Sequence, residues 1–118
     1  MVAAKGTKMI DWIRVNELRS EVGVEDFNEV VLLFLEEVDE VIEQLKSAPN
    51  PDQYEEQLHF LKGSALNLGF SHFSSLCQIG ETQAAQGQQS AIQLPEILAA
   101  FDLSRQQFVE KVDELLPV

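Results

Sequence analysis

The feature that most constrains the fold of this chain is an apolar repeat at three- and four-residue spacing. Between Val24 and Ser47 it runs Phe27, Val30, Val31, Phe34, Val38, Val41, Ile42 and Leu45, with acidic residues filling the gaps. An α-helix turns about 100° per residue, so side chains at these intervals share one face. A strand would need alternation, and no stretch of the chain alternates convincingly. The same helical period returns four more times. A short helix from Asp11 to Glu21 would turn Trp12, Val15 and Leu18 inward, with Gly23 beyond its end. Ala48-Pro49-Asn50-Pro51 breaks the long helix. Asn50 as N-cap, Pro51 in the first turn, and Asp52, Glu55 and Glu56 at the positive end of the dipole predict a third helix from Pro51 to Leu68, stopped by Gly69. Ser71 is expected to cap a fourth, with Phe73, Leu76, Ile79, Gly80 and Ala84 inward. After a polar loop from Gly87 to Ser90, a fifth is expected from Pro95 to Leu116, presenting Ile97, Leu98, Phe101, Phe108, Val112 and Leu115. Helices joined by short loops pack antiparallel. The expected fold is therefore all-α: an antiparallel up-down four-helix bundle with an additional short N-terminal helix as a lid.

A chain of 118 residues holds one modest core and not two, so residues 1–118 are expected to form a single helical-bundle domain. Its 20 acidic residues against 8 basic ones leave a formal net charge of -12. Without a cluster of Lys and Arg to neutralise phosphates, nucleic acid and anionic membrane surfaces are poor partners. No apolar run approaches the roughly 20 residues a membrane-spanning helix needs. Met1 to Lys8 lacks the apolar segment of a signal peptide. The single cysteine, Cys77, permits no intrachain disulfide and reads as a small core residue. A free-standing cytoplasmic protein is the expectation.

Chemistry concentrates on the third helix. Tyr54, Leu58, Leu61, Ala65 and Leu68 make its inward stripe. His59 points roughly 140° away from the centre of that stripe and should face solvent. Lys62 and Gly63 follow at i+3 and i+4, on the same face one turn along. Glycine in mid-helix costs about 1 kcal/mol relative to alanine. Its presence calls for a reason, either an open approach beside the imidazole or a close helix contact. Lys62 can lie against an anion held on His59 or pair with a neighbouring acid. Leu66, two turns beyond His59, and Phe60 place apolar area on the outer half. A nucleophilic imidazole, a nearby cation and a missing side chain suit a site that briefly carries a phosphoryl group. His72, beside the expected cap, reads as a surface residue. The chain has no Gly-rich phosphate loop, metal-ligand spacing, or Ser or Cys triad, so neither a stand-alone catalyst nor a bound cofactor or metal is expected.

The segment Leu58 to Phe70 resembles the signature of histidine-containing phosphotransfer (HPt) domains, the relay modules of multistep two-component signalling. That pattern has lysine and glycine at +3 and +4 from the histidine, small residues next, and glycine at +10. Here those places hold His59, Lys62, Gly63, Ser64, Ala65 and Gly69. The resemblance implies that His59 is the phosphoacceptor, attacking a receiver domain's aspartyl phosphate through its neutral imidazole. Lys62 would offset the charge of the transferring group, and Gly63 would leave room for the receiver's loops. Phe60, Leu66 and Phe70 would belong to the docking surface. The partners implied are receiver domains of a hybrid histidine kinase, of a response regulator, or both, with the Mg²⁺ on the receiver. The chain itself would act as a monomeric carrier that is consumed and regenerated.

Family members often place a further polar or basic residue on the neighbouring helix, but this chain has no Lys or Arg between Lys62 and Arg105. Gln78, Glu81 and Gln83 are the candidates for that place, and the sequence does not choose among them. Two other classes of function compete. One is a non-phosphorylated helical adaptor docking receiver or kinase partners through Phe60 and Leu66, which the joint presence of His59, Lys62 and Gly63 weighs against. The other is a subunit whose outer apolar residues serve oligomerisation.

Overall fold

The carboxylate of Asp11 accepts hydrogen bonds from the backbone N–H groups of Ile13 and Arg14, at 3.1 and 3.2 Å, and so opens the first helix. In the computed structural model, which describes residues 9–115, five α-helices follow in order. They are α1 (Trp12–Val22), α2 (Val24–Ser47), α3 (Tyr54–Leu68), α4 (Ser71–Ala85) and α5 (Leu94–Leu115). The expected Leu116, the side chain of Leu115 and the segment Met1 to Lys8 lie outside the described residues. Helices α2 to α5 form the antiparallel bundle, with α3 and α4 in the most extensive contact. Helix α1 closes one end. Trp12 stacks on Phe108 of α5 with ring centroids 5.9 Å apart, and the Asp11 N–H donates to the Gly69 carbonyl at 2.7 Å.

The core follows the apolar stripes, with local departures. Leu58, Leu61, Ala65 and Leu68 of α3 pack with Phe27, Val38 and Leu45 of α2, Phe73 and Cys77 of α4, and Phe101 and Phe108 of α5, all buried. On α2 the stripe is turned slightly toward Leu35, which is buried, while Val30, Phe34 and Val41 on its other margin are only half-buried. On α4 Ile79 is exposed at 56%, and Cys77 holds the inward place instead. The cause is rotational. Gly80 faces the helix contact so closely that a Cβ there would lie 2.9 Å from Leu58 Cδ1 and 3.3 Å from Ile97 Cδ1, which turns Ile79 outward.

The helix starts differ as well. Asn50 caps a separate 3₁₀ turn, Pro51–Gln53, accepting from the Asp52 N–H at 3.1 Å, so α3 proper begins at Tyr54. Ser71 is the first residue of α4 and not its cap, because Phe70 occupies the cap position and no side chain bonds there.

Candidate functional site

The outer face of α3 projects away from the core because its inner face is consumed by Tyr54, Leu58, Leu61, Ala65 and Leu68. His59 emerges with 69% of its side chain exposed. A Cβ on Gly63 would meet nothing within 4 Å, so close helix packing is not the reason for that glycine. It leaves the approach to the imidazole open.

Helix α4 supplies the other wall. Ser74, Gln78 and Glu81 are spaced four and three apart, which places them on one face, and that face meets α3. Ser74 Oγ donates to the Lys62 carbonyl at 3.4 Å. Lys62 Nζ donates to Gln78 Oε1 at 3.0 Å and pairs with Glu81 Oε1 at 2.8 Å. Glu81 Oε2 lies 2.8 Å from His59 Nδ1. Glu81 and Lys62 are mostly covered, while His59 is mostly open. The carboxylate thus bridges an anchored cation and an exposed imidazole. The lysine's hydrogen bond holds the Glu81 carboxyl below its usual range, with His59 adding to the effect and partial burial opposing it. An ionised carboxylate only accepts hydrogen bonds, so His59 Nδ1 is the donor in this contact, and in the neutral form of the ring that tautomer leaves the Nε2 lone pair on the other edge.

Of the three polar candidates on α4, Glu81 therefore reaches His59 and Gln78 steadies Lys62. Gln83 faces the other way, into a small cavity shared with Leu76, Ile79 and Ile97 on the α5 side. Choosing among them needs the rotation of α4 against α3, which no local pattern supplies. The Lys62 ammonium is turned onto α4 and not toward the open side of the imidazole. An open depression of about 520 Å³ beside His59 is otherwise lined by Asp52, Gln53, Glu55, Glu56 and Glu81. Among the described residues no group of three or more His, Cys, Asp or Glu could hold a metal ion.

Phe60 is 37% exposed and Leu66 56%, both on the outer half of α3. Phe70 is not with them, which corrects its assignment to a docking surface. Gly69 takes a left-handed turn at φ 80°, and the Phe70 N–H then donates back to the Ala65 carbonyl at 2.8 Å. That reversal swings the ring inward, where it packs edge-on against Phe108 at 5.5 Å and tilted against Phe101 at 6.3 Å. His72 is half-buried just beyond. Cys77 lies wholly within the core, where burial first and the Glu81 charge second push its thiol up to about 12. No described helix is long and apolar enough to cross a membrane.

No curated protein and no solved structure matches this chain. The profile of the Hpt domain, a family that carries out phosphotransfer in two-component signalling, matches residues 29–116, and the chain belongs to that family.

Proposed function

We propose that this protein is a phosphorelay intermediate in which His59 takes a phosphoryl group from a receiver-domain aspartate and passes it to the aspartate of a response regulator. The observation that carries the reading is the orientation of the imidazole, with Nδ1 engaged by Glu81 at 2.8 Å and Nε2 open. In the accepting step the Nε2 lone pair forms the N–P bond while the P–O bond to the receiver's aspartate breaks. The bonding pair of that P–O bond leaves with the carboxylate. Nδ1 keeps its proton, so the ring gains positive charge as the bond forms, and the Glu81 carboxylate faces that charge. The passing step is the reverse, with a regulator's aspartate as nucleophile.

Lys62 acts in this scheme by balancing Glu81. An unpaired carboxylate beside a phosphoryl group would repel it, whereas one already bound to an ammonium contributes little net charge. Gly63 leaves space for the receiver's loops, and Phe60 and Leu66 provide apolar docking contacts. The Mg²⁺ that assists the transfer belongs to the receiver. The receivers are those of a hybrid histidine kinase, of a response regulator, or both, and residues 1–118 work as one monomeric carrier domain in the cytoplasm.

The test is incubation with a labelled phospho-receiver, comparing wild type with His59→Gln. Acid-labile label on the wild type alone supports the relay and its acceptor together. Receiver binding without label transfer would favour an adaptor that docks but is not phosphorylated. Label retained by His59→Gln would place the acceptor elsewhere.

A further inference from the structure

Helices α2 and α5 run antiparallel along the bundle edge opposite the α3–α4 contact. Arg105 of α5 makes a two-pronged bond to Asp39 of α2, at 3.1 and 2.8 Å, and Lys46 pairs with Asp102 at 3.5 Å. On the other side of Arg105 the two helices leave an apolar groove of about 310 Å³. Val31, Leu35 and Phe108 form its buried floor. Leu32 and Val109, exposed at 59% and 49%, form its lips. Glu29 and Glu36 lie one helical turn to either side of Leu32, both exposed, and α2 carries no Lys or Arg before Lys46. An apolar floor is thus joined to an acidic bank, on an edge that contains neither His59 nor Glu81.

We propose that this groove docks an amphipathic helix of a partner protein, with Lys or Arg along one flank of its apolar face. Apolar side chains repeating at three and four residues fit a trough between two helices. Cations on the flank would meet Glu29 and Glu36. A second copy of this chain fits poorly, because it would bring acidic banks together in a protein whose formal net charge is already -12. The proposal is independent of the relay reading, since it uses the opposite edge of the bundle.

The test titrates the full chain with a labelled synthetic helix carrying leucines at three- and four-residue spacing and lysines elsewhere, against a scrambled peptide of identical composition. The ordered peptide should bind saturably and about tenfold more tightly than the scrambled one. Amide shifts should be confined to α2 and α5. Leu32→Gln with Val109→Gln should weaken binding about tenfold, while Ile79→Gln, which removes an equally exposed apolar side chain on α4, should leave it unchanged. Glu29→Lys with Glu36→Lys, both on the surface, gives a second arm if the apolar pair disturbs folding, and should also weaken binding. Equal binding of the two peptides, or undiminished binding by both double variants, overturns the proposal. So does a dimer in sedimentation that the Leu32/Val109 variant dissolves, because a second copy would then be the occupant.

Discussion

His59 Nδ1 and Glu81 Oε2 stand 2.8 Å apart across the α3–α4 contact, and the other oxygen of the same carboxylate holds Lys62 at 2.8 Å. One acid therefore sets the tautomer of the imidazole and spends its remaining charge on a cation. Glu81→Gln should slow phosphoryl acceptance by about tenfold, roughly 1.4 kcal/mol in the barrier, in rapid-quench measurements with a phospho-receiver. The ¹⁵N shifts of His59 should move away from the Nδ1–H tautomer in the same variant.

The pH dependence of the pair has a definite sign. The Glu81 carboxyl is held below its usual range in the folded protein, chiefly by Lys62. Its stabilising effect is complete above the ordinary carboxylate value of about 4.3 and is lost as pH falls through the depressed folded value. Acid unfolding curves of wild type and Glu81→Gln should converge at low pH and separate as the pH rises.

Gly63 offers a substitution whose effects on stability and transfer oppose each other. Nothing lies within 4 Å of a Cβ there, so Gly63→Ala should stabilise the protein by about 1 kcal/mol and raise Tm. Gly63→Gln should also raise Tm, yet slow transfer about tenfold or more by obstructing the approach to Nε2. Thermal melts and transfer rates on the same samples check both signs.

Phe70 and Leu66 should separate cleanly. Phe70 is 1% exposed and in contact with two core phenylalanines, so Phe70→Ala should cost about 3 to 5 kcal/mol of stability. Leu66→Ala should change stability by less than about 0.5 kcal/mol and weaken receiver binding. Urea denaturation and binding titration distinguish the two.

Cys77 should be silent. With its thiol at 0% exposure and pushed up to about 12, it should not react with a thiol reagent at pH 8 in the native protein. It should react fully once the chain is unfolded.

The helical class and the order of the five helices were legible because apolar periodicity is local, and α2 matches its expected bounds, Val24–Ser47. The exposure of His59, Gly63 and Leu66 was legible for the same reason: each is set by its angle from the stripe of its own helix. Phe70 was not, because its direction depends on the left-handed turn at Gly69 and on the aromatic rings waiting in α5. Nor was the outward direction of Ile79, since the close approach of Gly80 to Leu58 and Ile97 rotates α4 by an amount that apolar spacing does not encode.

By itself the sequence determined that this chain folds as helices, and it placed His59 and Gly63 on the outward face of one of them. Only the tertiary structure decided that Glu81 meets the imidazole, that Gln78 steadies Lys62 and that Gln83 turns away. A residue's face on its own helix follows from 3.6 residues per turn. Which faces of two helices meet is set by packing them together, and the bond from His59 to Glu81 exists only across that contact.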